Sequence, residues 1–367
     1  MNSKPNKVAL FIPSLRGGGA ERVTVDLANW LSDSGIVVDL IVCEAVGAYL
    51  NEVNSRVRLL NIGERHVRRA IPYLIRYLRT NQPDTILSVQ SHANITMIIS
   101  RFLSLTKTPV VVSERNSTVL VDHGKFRFLK NWLKKLCYRN ADRVVAVSEE
   151  LSFDLIRKLK LNPSRVLTIY NPVNVSYISH KANEKISHPW INRCDTKIIL
   201  SVGRLELQKD FALLIDAIKH LKPELRCKLL ILGEGRLRDE LQTKISINKL
   251  ADTIELVGFK DNPFPWFAAA DLFVLSSKHE GMPNALLQAI ALGVPVVSTD
   301  CKTGPKEILE DGKWGLLSPV GCRDSLAKNI HTALTETSSI DLTQRARDFD
   351  HNQIFKRYLC ALSSVMR

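Results

Sequence analysis

The sequence predicts an α/β protein made of two Rossmann-like domains. Three observations carry that prediction. Short apolar strands alternate with amphipathic helices from end to end, which is the pattern of parallel sheets covered by helices. The pattern runs through one set of strands, pauses over a polar stretch, and then runs through a second set. The chain has 367 residues, more than the roughly 250–300 at which a single core stops growing.

In the first half the strands fall on "KVALFIP" (7–13), "VVDLIVC" (37–43), "DTILSVQ" (84–90), "TPVVVSE" (108–114) and "RVVAVS" (143–148). Helices lie between them, such as 20–31, where Val23, Leu27 and Leu31 share a face. In the second half the strands are "KIILSVG" (197–203), "CKLLILG" (227–233), "TIELVG" (253–258), "DLFVLSS" (271–277) and "VPVVST" (294–299). The spacing predicts a helix over 283–292, with Pro283 in its first turn and Gly293 as its C-terminal stop. That helix is apolar nearly all round, yet Asn284 and Gln288 stand on one face four residues apart. The boundary falls between "YNPVN" (170–174) and Asp195. The expected domains are therefore 1–175 and 190–348, with a final amphipathic helix within 349–367 that can cross back onto the first domain.

The composition, 45% hydrophobic and 24% charged, is that of an ordinary globular protein. No apolar run approaches the ~18 residues of a membrane span. The N-terminal "VALFIPSL" is too short for a secretory signal and reads as the first strand. The 7 cysteines contain no CxxC spacing, so a reduced cytoplasmic protein without structural zinc or another bound metal is expected.

The net charge of +14 is unevenly divided. Residues 1–170 hold 25 Lys and Arg against 14 Asp and Glu, leaving 26 against 23 for the rest. Two acid-free segments dominate: "RHVRRAIPYLIRYLR" (65–79), with Arg65, Arg68, Arg69, Arg76 and Arg79, and "HGKFRFLKNWLKKLCYR" (123–139), where cations interleave with Phe126, Phe128 and Trp132. Basic residues mixed with aromatic ones suit the face of an anionic bilayer. A solvated helix face with core residues behind it would give the same composition, and nucleic acid is the less favoured attractor of such charge.

In open parallel sheets ligands bind beyond the carboxyl ends of the strands. After the first strand come Gly17, Gly18 and Gly19, whose backbone N–H groups could approach an anion at a helix start. Their pattern is neither GxGxxG nor a Walker loop, which counts against nicotinamide or nucleoside-triphosphate binding. After 197–203 come Arg204 and Lys209, two cations able to neutralise a diphosphate. After 271–277 comes Glu280, followed by a helix whose first free amides are expected around Met282 to Ala285, Asn284 among them. A carboxylate for hydroxyls and donors for phosphate are what a sugar diphosphate needs.

Taken together, "VGRLELQKDFALLIDA", "LILGEGRLRDEL", "VGFKDNPFPWFAAADLFVLSSKHEGMPNALLQAIALGVPVVSTD" and "GPKEIL", with "GGGAERV" and "ADRVVAVSEEL" earlier, resemble the retaining family-4 glycosyltransferases of GT-B fold. The resemblance implies two domains facing each other across a cleft. It places the donor nucleotide on the C-terminal domain and the acceptor mainly on the N-terminal one. It requires no divalent metal and no cofactor beyond a UDP-sugar as donor substrate. It implies that Arg204 and Lys209 hold the diphosphate and stabilise departing UDP, and that Glu280 contacts donor-sugar hydroxyls as the first acid of an E-x7-E motif. The second acid is replaced by Gln288, at the position that bonds the nucleotide ribose. Gly17, Gly18 and Gly19 would border the diphosphate or the acceptor, and His92, in "SHAN", resembles a histidine near the reacting carbon. "SERN" (113–116) resembles an acceptor-side motif of enzymes that extend lipid-linked glycans, although its Glu114 could instead form a structural ion pair with Arg115 or another cation.

The expected activity is retaining transfer of a hexose or N-acetylhexosamine from a UDP-sugar to a lipid-linked, polyprenyl-diphosphate-borne glycan in bacterial surface polysaccharide or glycan assembly. The expected location is the inner face of the cytoplasmic membrane. An epimerase of the same fold and a non-catalytic UDP-sugar-binding homologue are the competing readings. The epimerase would form product without an acceptor; the binding protein would bind UDP without turnover.

Overall fold

The computed structural model describes residues 4–115, 127–191, 195–221, 225–336 and 340–366. Residues 123–126 of the second basic segment and Asn116 of "SERN" lie outside them. The chain forms two compact units, one of Met1–Pro172 with His351–Arg367 and one of Val173–Asp350.

Unit 1 is a seven-stranded parallel sheet in the order β3-β2-β1-β4-β5-β6-β7. Its strands are β1 (Lys7–Ile12), β2 (Val37–Val42), β3 (Arg58–Asn61), β4 (Thr85–Val89), β5 (Val110–Glu114), β6 (Arg143–Ala146) and β7 (Val166–Thr168). The helices between them are α1 (Gly19–Asp33), α2 (Ile71–Asn81), α3 (Ser91–Ser104), α4 (Arg127–Arg139) and α5 (Glu149–Leu159). β1, β2, β4, β5 and β6 are the strands expected from apolar runs, and they are buried on both faces as parallel strands must be. β3 and β7 were not expected. Both are edge strands with exposed or half-buried positions, so neither shows a continuous apolar run.

Unit 2 is a six-stranded parallel sheet in the order β10-β9-β8-β11-β12-β13. Its strands are β8 (Lys197–Val202), β9 (Cys227–Leu232), β10 (Ile254–Gly258), β11 (Leu272–Leu275), β12 (Val296–Thr299) and β13 (Leu316–Ser318). Its helices are α6 (Val175–Ala182), α7 (Phe211–Lys219), α8 (Arg238–Ile247), α9 (Phe264–Ala268), α10 (Asn284–Ala291), α11 (Pro305–Ile308), α12 (Arg323–Thr335) and α13 (Leu342–Arg347). The strand missing from the sequence reading is again an edge, β13. The helix expected over 283–292 is α10, with Pro283 as N-cap, Leu292 as C-cap and Gly293 at φ 71°. Leu286, Leu287, Ala289, Ile290 and Ala291 are buried, whereas Asn284, Ala285 and Gln288 form its half-exposed face.

The last helix, α14 (His351–Ser363), belongs to unit 1. Its Ile354, Phe355, Tyr358, Ala361 and Leu362 lie in the same core cluster as Val8, Leu10, Leu27 and Leu31. Among the described residues no helix is long and apolar enough to cross a membrane.

One buried charge marks unit 1. Asp39 in β2 is 0% exposed and accepts from Arg58 Nε at 2.7 Å, from Arg58 Nη2 at 2.6 Å and from the Tyr77 hydroxyl at 2.5 Å, with Lys7 Nζ at 3.3 Å. Burial pushes the Asp39 carboxyl up, but the hydrogen bonds from Arg58 and Tyr77 and the charge of Lys7 outweigh it and leave the pKa lowered. A depressed folded-state pKa stabilises above the unfolded value of about 3.9, and that stabilisation is lost as pH falls through the folded value. Asp39→Asn is therefore expected to be less stable than the native chain at pH 7. The gap should narrow below about pH 3.9, as read by urea unfolding at stepped pH.

Candidate functional site

The C-terminal ends of β8 and β11 bring the expected unit 2 residues together. Lys209 closes the loop after β8 and its Nζ lies 2.6 Å from Glu280 Oε1, in the loop after β11. Their side chains are 18% and 8% exposed, so the pair is held at the rim of the core rather than in open solvent. Ser277 Oγ donates to the same Glu280 oxygen at 2.6 Å, and the Thr303 hydroxyl donates to the Glu280 carbonyl.

Three further bonds tie the two loops together: Ser276 Oγ to the Lys209 carbonyl at 2.8 Å, Gln208 Nε2 to the His279 carbonyl at 2.8 Å, and Lys278 N to the Gln208 carbonyl at 2.8 Å. A third loop, after β9, reaches this point only because of glycine. Gly233 has φ 136°, and a Cβ there would lie 2.0 Å from the Gly203 carbonyl oxygen.

Arg204 stands exposed on the same β8 loop and makes no ion pair among the described residues. Asn284 and Ala285 open α10, whose N-terminus carries the positive end of the helix dipole. Half-exposed Gln288 makes no side-chain hydrogen bond with the described residues, so its amide has both donor and acceptor capacity for a ligand. Burial lowers the His279 pKa, with Lys209 and Lys278 adding to the effect and Glu280 opposing it. Burial and the Glu280 charge push the Cys301 thiol up to about 12, so it is no nucleophile at neutral pH.

In unit 1, Gly17 has φ 45° and Gly18 is the N-cap of α1. The slot beside them is already filled: a Cβ on Gly18 would lie 2.2 Å from Glu21 Oε2. Gln90 Nε2 donates to the other Glu21 oxygen at 3.1 Å. The glycine turn thus lets a carboxylate of its own helix fold back over the N-terminus, and an arriving anion would meet that negative charge. His92 is exposed on the first turn of α3.

Glu114 ends β5 and is 2% exposed. Its Oε2 accepts from Lys134 Nζ, Tyr138 OH and Ser91 Oγ, each at 2.7 Å. Lys134 Nζ also donates to Ser91 Oγ at 2.8 Å. Burial pushes Glu114 up, but Lys134 and the hydrogen bonds prevail and leave its pKa lowered. The ion pair left open for Glu114 in the sequence exists, and its partner is Lys134 rather than Arg115. Arg115 instead donates to Asn171 Oδ1 at 2.8 Å and to Tyr358 OH at 3.1 Å. Lys134 and Tyr138 gave no signal in the sequence, because they reach Glu114 only when α4 packs beside β5.

Two sequence families match the chain: "Glycosyltransferase Family 4" over residues 17–177 and "Glycosyl transferases group 1" over residues 196–336. An N-acetylgalactosamine-N,N'-diacetylbacillosaminyl-diphospho-undecaprenol 4-alpha-N-acetylgalactosaminyltransferase of Campylobacter jejuni is 31% identical over 90% of this chain and 90% of its own length. A second Campylobacter jejuni protein, a GalNAc-alpha-(1->4)-GalNAc-alpha-(1->3)-diNAcBac-PP-undecaprenol alpha-1,4-N-acetyl-D-galactosaminyltransferase, is 26% identical over 98% of this chain and 99% of its own. Among solved structures, Anabaena HepE in complex with UDP and glucose superposes with a TM-score of 0.81 at 19% identity, covering 98% of this chain and 99% of that one. At that identity the likeness speaks for the fold alone. With two GT-B-like α/β units and a relative of this identity along nearly its whole length, the chain belongs to the group 1 and family 4 glycosyltransferases.

Proposed function

We propose that this glycosyltransferase moves a hexose or N-acetylhexosamine from a UDP-sugar to a polyprenyl-diphosphate-linked glycan in bacterial glycan assembly, with retention at the anomeric carbon. The observation that carries the reading is the Lys209–Glu280 couple at the ends of β8 and β11, with exposed Arg204 on the same β8 loop as Lys209. Lys209 and Arg204 supply positive charge where negative charge grows on departing UDP. Glu280, with one oxygen committed to Lys209 and Ser277, offers the other to a donor-sugar hydroxyl. Gln288 bonds the ribose hydroxyls, and the positive end of the α10 dipole, at Asn284 and Ala285, attracts the phosphates. Departure of UDP on the face that the acceptor attacks needs no enzyme nucleophile, metal or cofactor.

The acceptor class is supported by the two Campylobacter jejuni relatives, whose names place their sugars on diphospho-undecaprenol or PP-undecaprenol. Unit 1 would hold that acceptor, and unit 2 would hold the donor. Exposed Arg76 and Arg79 on α2, and Trp132, Leu136 and Arg139 on α4, support contact with an anionic membrane face.

The test is UDP release from a panel of UDP-sugars, with and without an undecaprenyl-diphosphate-linked acceptor. Release that requires the lipid and is abolished by Glu280→Ala is the expected result. Release without acceptor would favour an epimerase or hydrolase. No release from any donor, with activity appearing only in Gln288→Glu, would make the native chain a binding protein.

A further inference from the structure

We infer that Ser91 is a specificity-determining residue of the acceptor site, and that Glu114 and Lys134 are the positioning residues that fix which hydrogen bond it can make. The inference rests on the transferase reading above and adds the chemistry of the acceptor group recognised.

Three side chains meet at the C-terminal edge of the unit 1 sheet. An ammonium has only donors, so Lys134 Nζ must donate both to Glu114 at 2.7 Å and to Ser91 Oγ at 2.8 Å. An ionised carboxylate has only acceptors, so the Ser91 proton must go to Glu114, 2.7 Å away. From the far side Tyr138 OH donates to Glu114 at 2.7 Å and accepts from Asn94 Nδ2 at 2.9 Å. Lys134, Ser91 and Tyr138 each donate a proton to Glu114. Glu114 and Lys134 have side chains only 2% and 8% exposed, so water cannot easily rescue a reversed arrangement.

Ser91, by contrast, is half-buried and opens α3 right after β4, among the strand ends where parallel sheets take ligands. Its proton and one lone pair are committed. What remains is a single lone pair, which can accept a hydrogen bond but cannot give one. A hydroxyl so fixed selects a ligand that donates, meaning a sugar hydroxyl or an acetamido N–H of the acceptor glycan. It gives nothing to a phosphate oxygen. The backbone turn that delivers Ser91 is itself unusual, since Gln90 is held at φ 82° with its side chain on Glu21.

The experiment compares Ser91→Ala and Ser91→Thr with the native enzyme, using the undecaprenyl-diphosphate-linked acceptor and measuring KM for acceptor and donor separately. Loss of one neutral hydrogen bond predicts an acceptor KM raised about 3- to 10-fold in Ser91→Ala, with the donor KM unmoved and Ser91→Thr close to native. Glu114→Gln should raise the acceptor KM as well, and should also lower the melting temperature because Lys134 loses its counter-charge. Inhibition by inorganic diphosphate supplies the opposite arm. If Ser91→Ala weakens inhibition by diphosphate while the acceptor KM stays native, the residue faces a phosphate and the inference is wrong. An unchanged acceptor KM in Ser91→Ala likewise overturns it. If the native enzyme turns over no lipid-linked acceptor, the transferase reading itself has failed and takes this inference with it.

Discussion

Lys209→Ala is expected to lower kcat for sugar transfer about 10²- to 10³-fold, the loss typical of removing one preorganised group that stabilises developing negative charge. Two effects act together. The departing UDP loses a cation, and among the described residues Glu280, 8% exposed in its side chain, keeps Ser277 alone as a side-chain hydrogen-bond partner. UDP binding, measured by calorimetry, should weaken as well, because the ground-state diphosphate also feels that charge. Lys209→Arg separates the roles: it restores the charge but not the 2.6 Å contact that a compact ammonium makes with Glu280. Partial recovery of UDP affinity with little recovery of kcat is the expected pattern. If Lys209→Ala keeps a tenth or more of native kcat, Lys209 does not stabilise the leaving group.

The largest expected effect on stability lies far along the chain. Phe355 in α14 is 1% exposed and packs 5.8 Å from the Trp30 ring, within the unit 1 core. Phe355→Ala removes that ring from a site bounded by α1 and the sheet, so a cavity remains. A loss of about 3–5 kcal/mol is expected. Urea unfolding should show it as an earlier transition of unit 1, with the transition of unit 2 unmoved if the two are resolved. A loss below about 1 kcal/mol would mean that α14 is only loosely seated on unit 1.

The central strands were legible because a parallel strand covered on both faces is largely apolar along its length, as the "VALFI" of β1 and the "LFVL" of β11 are. β3, β7 and β13 were not, because edge strands keep a wet side and a mixed sequence. The α10 helix was legible from Pro283 and Gly293, and its half-exposed face carries the two polar residues that stood out, Asn284 and Gln288. Arg204, Lys209 and Glu280 could be picked out because they follow strands, but the 2.6 Å contact between Lys209 and Glu280 could not be read from 71 residues of separation. The Ser91–Glu114–Lys134 cluster was half visible. "SHAN" follows a strand and "SERN" ends one, whereas Lys134 sits in a run of basic residues that composition alone assigns to solvent or lipid. Glu21 was hidden for the opposite reason: a glycine run before a helix reads as an anion cradle until its own carboxylate is found folded over it.

The placement of α14 in unit 1 has a consequence for how the protein is made. In chain order, unit 2 is an insertion, since unit 1 stops at Pro172 and resumes at His351. A ribosome working at about 5–20 residues per second therefore leaves roughly ten seconds or more between the two parts. For that interval the nascent sheet of unit 1 presents the apolar surface that Ile354, Phe355, Tyr358 and Leu362 will later cover. The usual order of vectorial folding is reversed, because the unit begun first is finished last. Nascent chains stalled just before residue 351 should display a sticky, protease-sensitive N-terminal half beside an already protected C-terminal one, and they are the natural clients of a ribosome-bound chaperone.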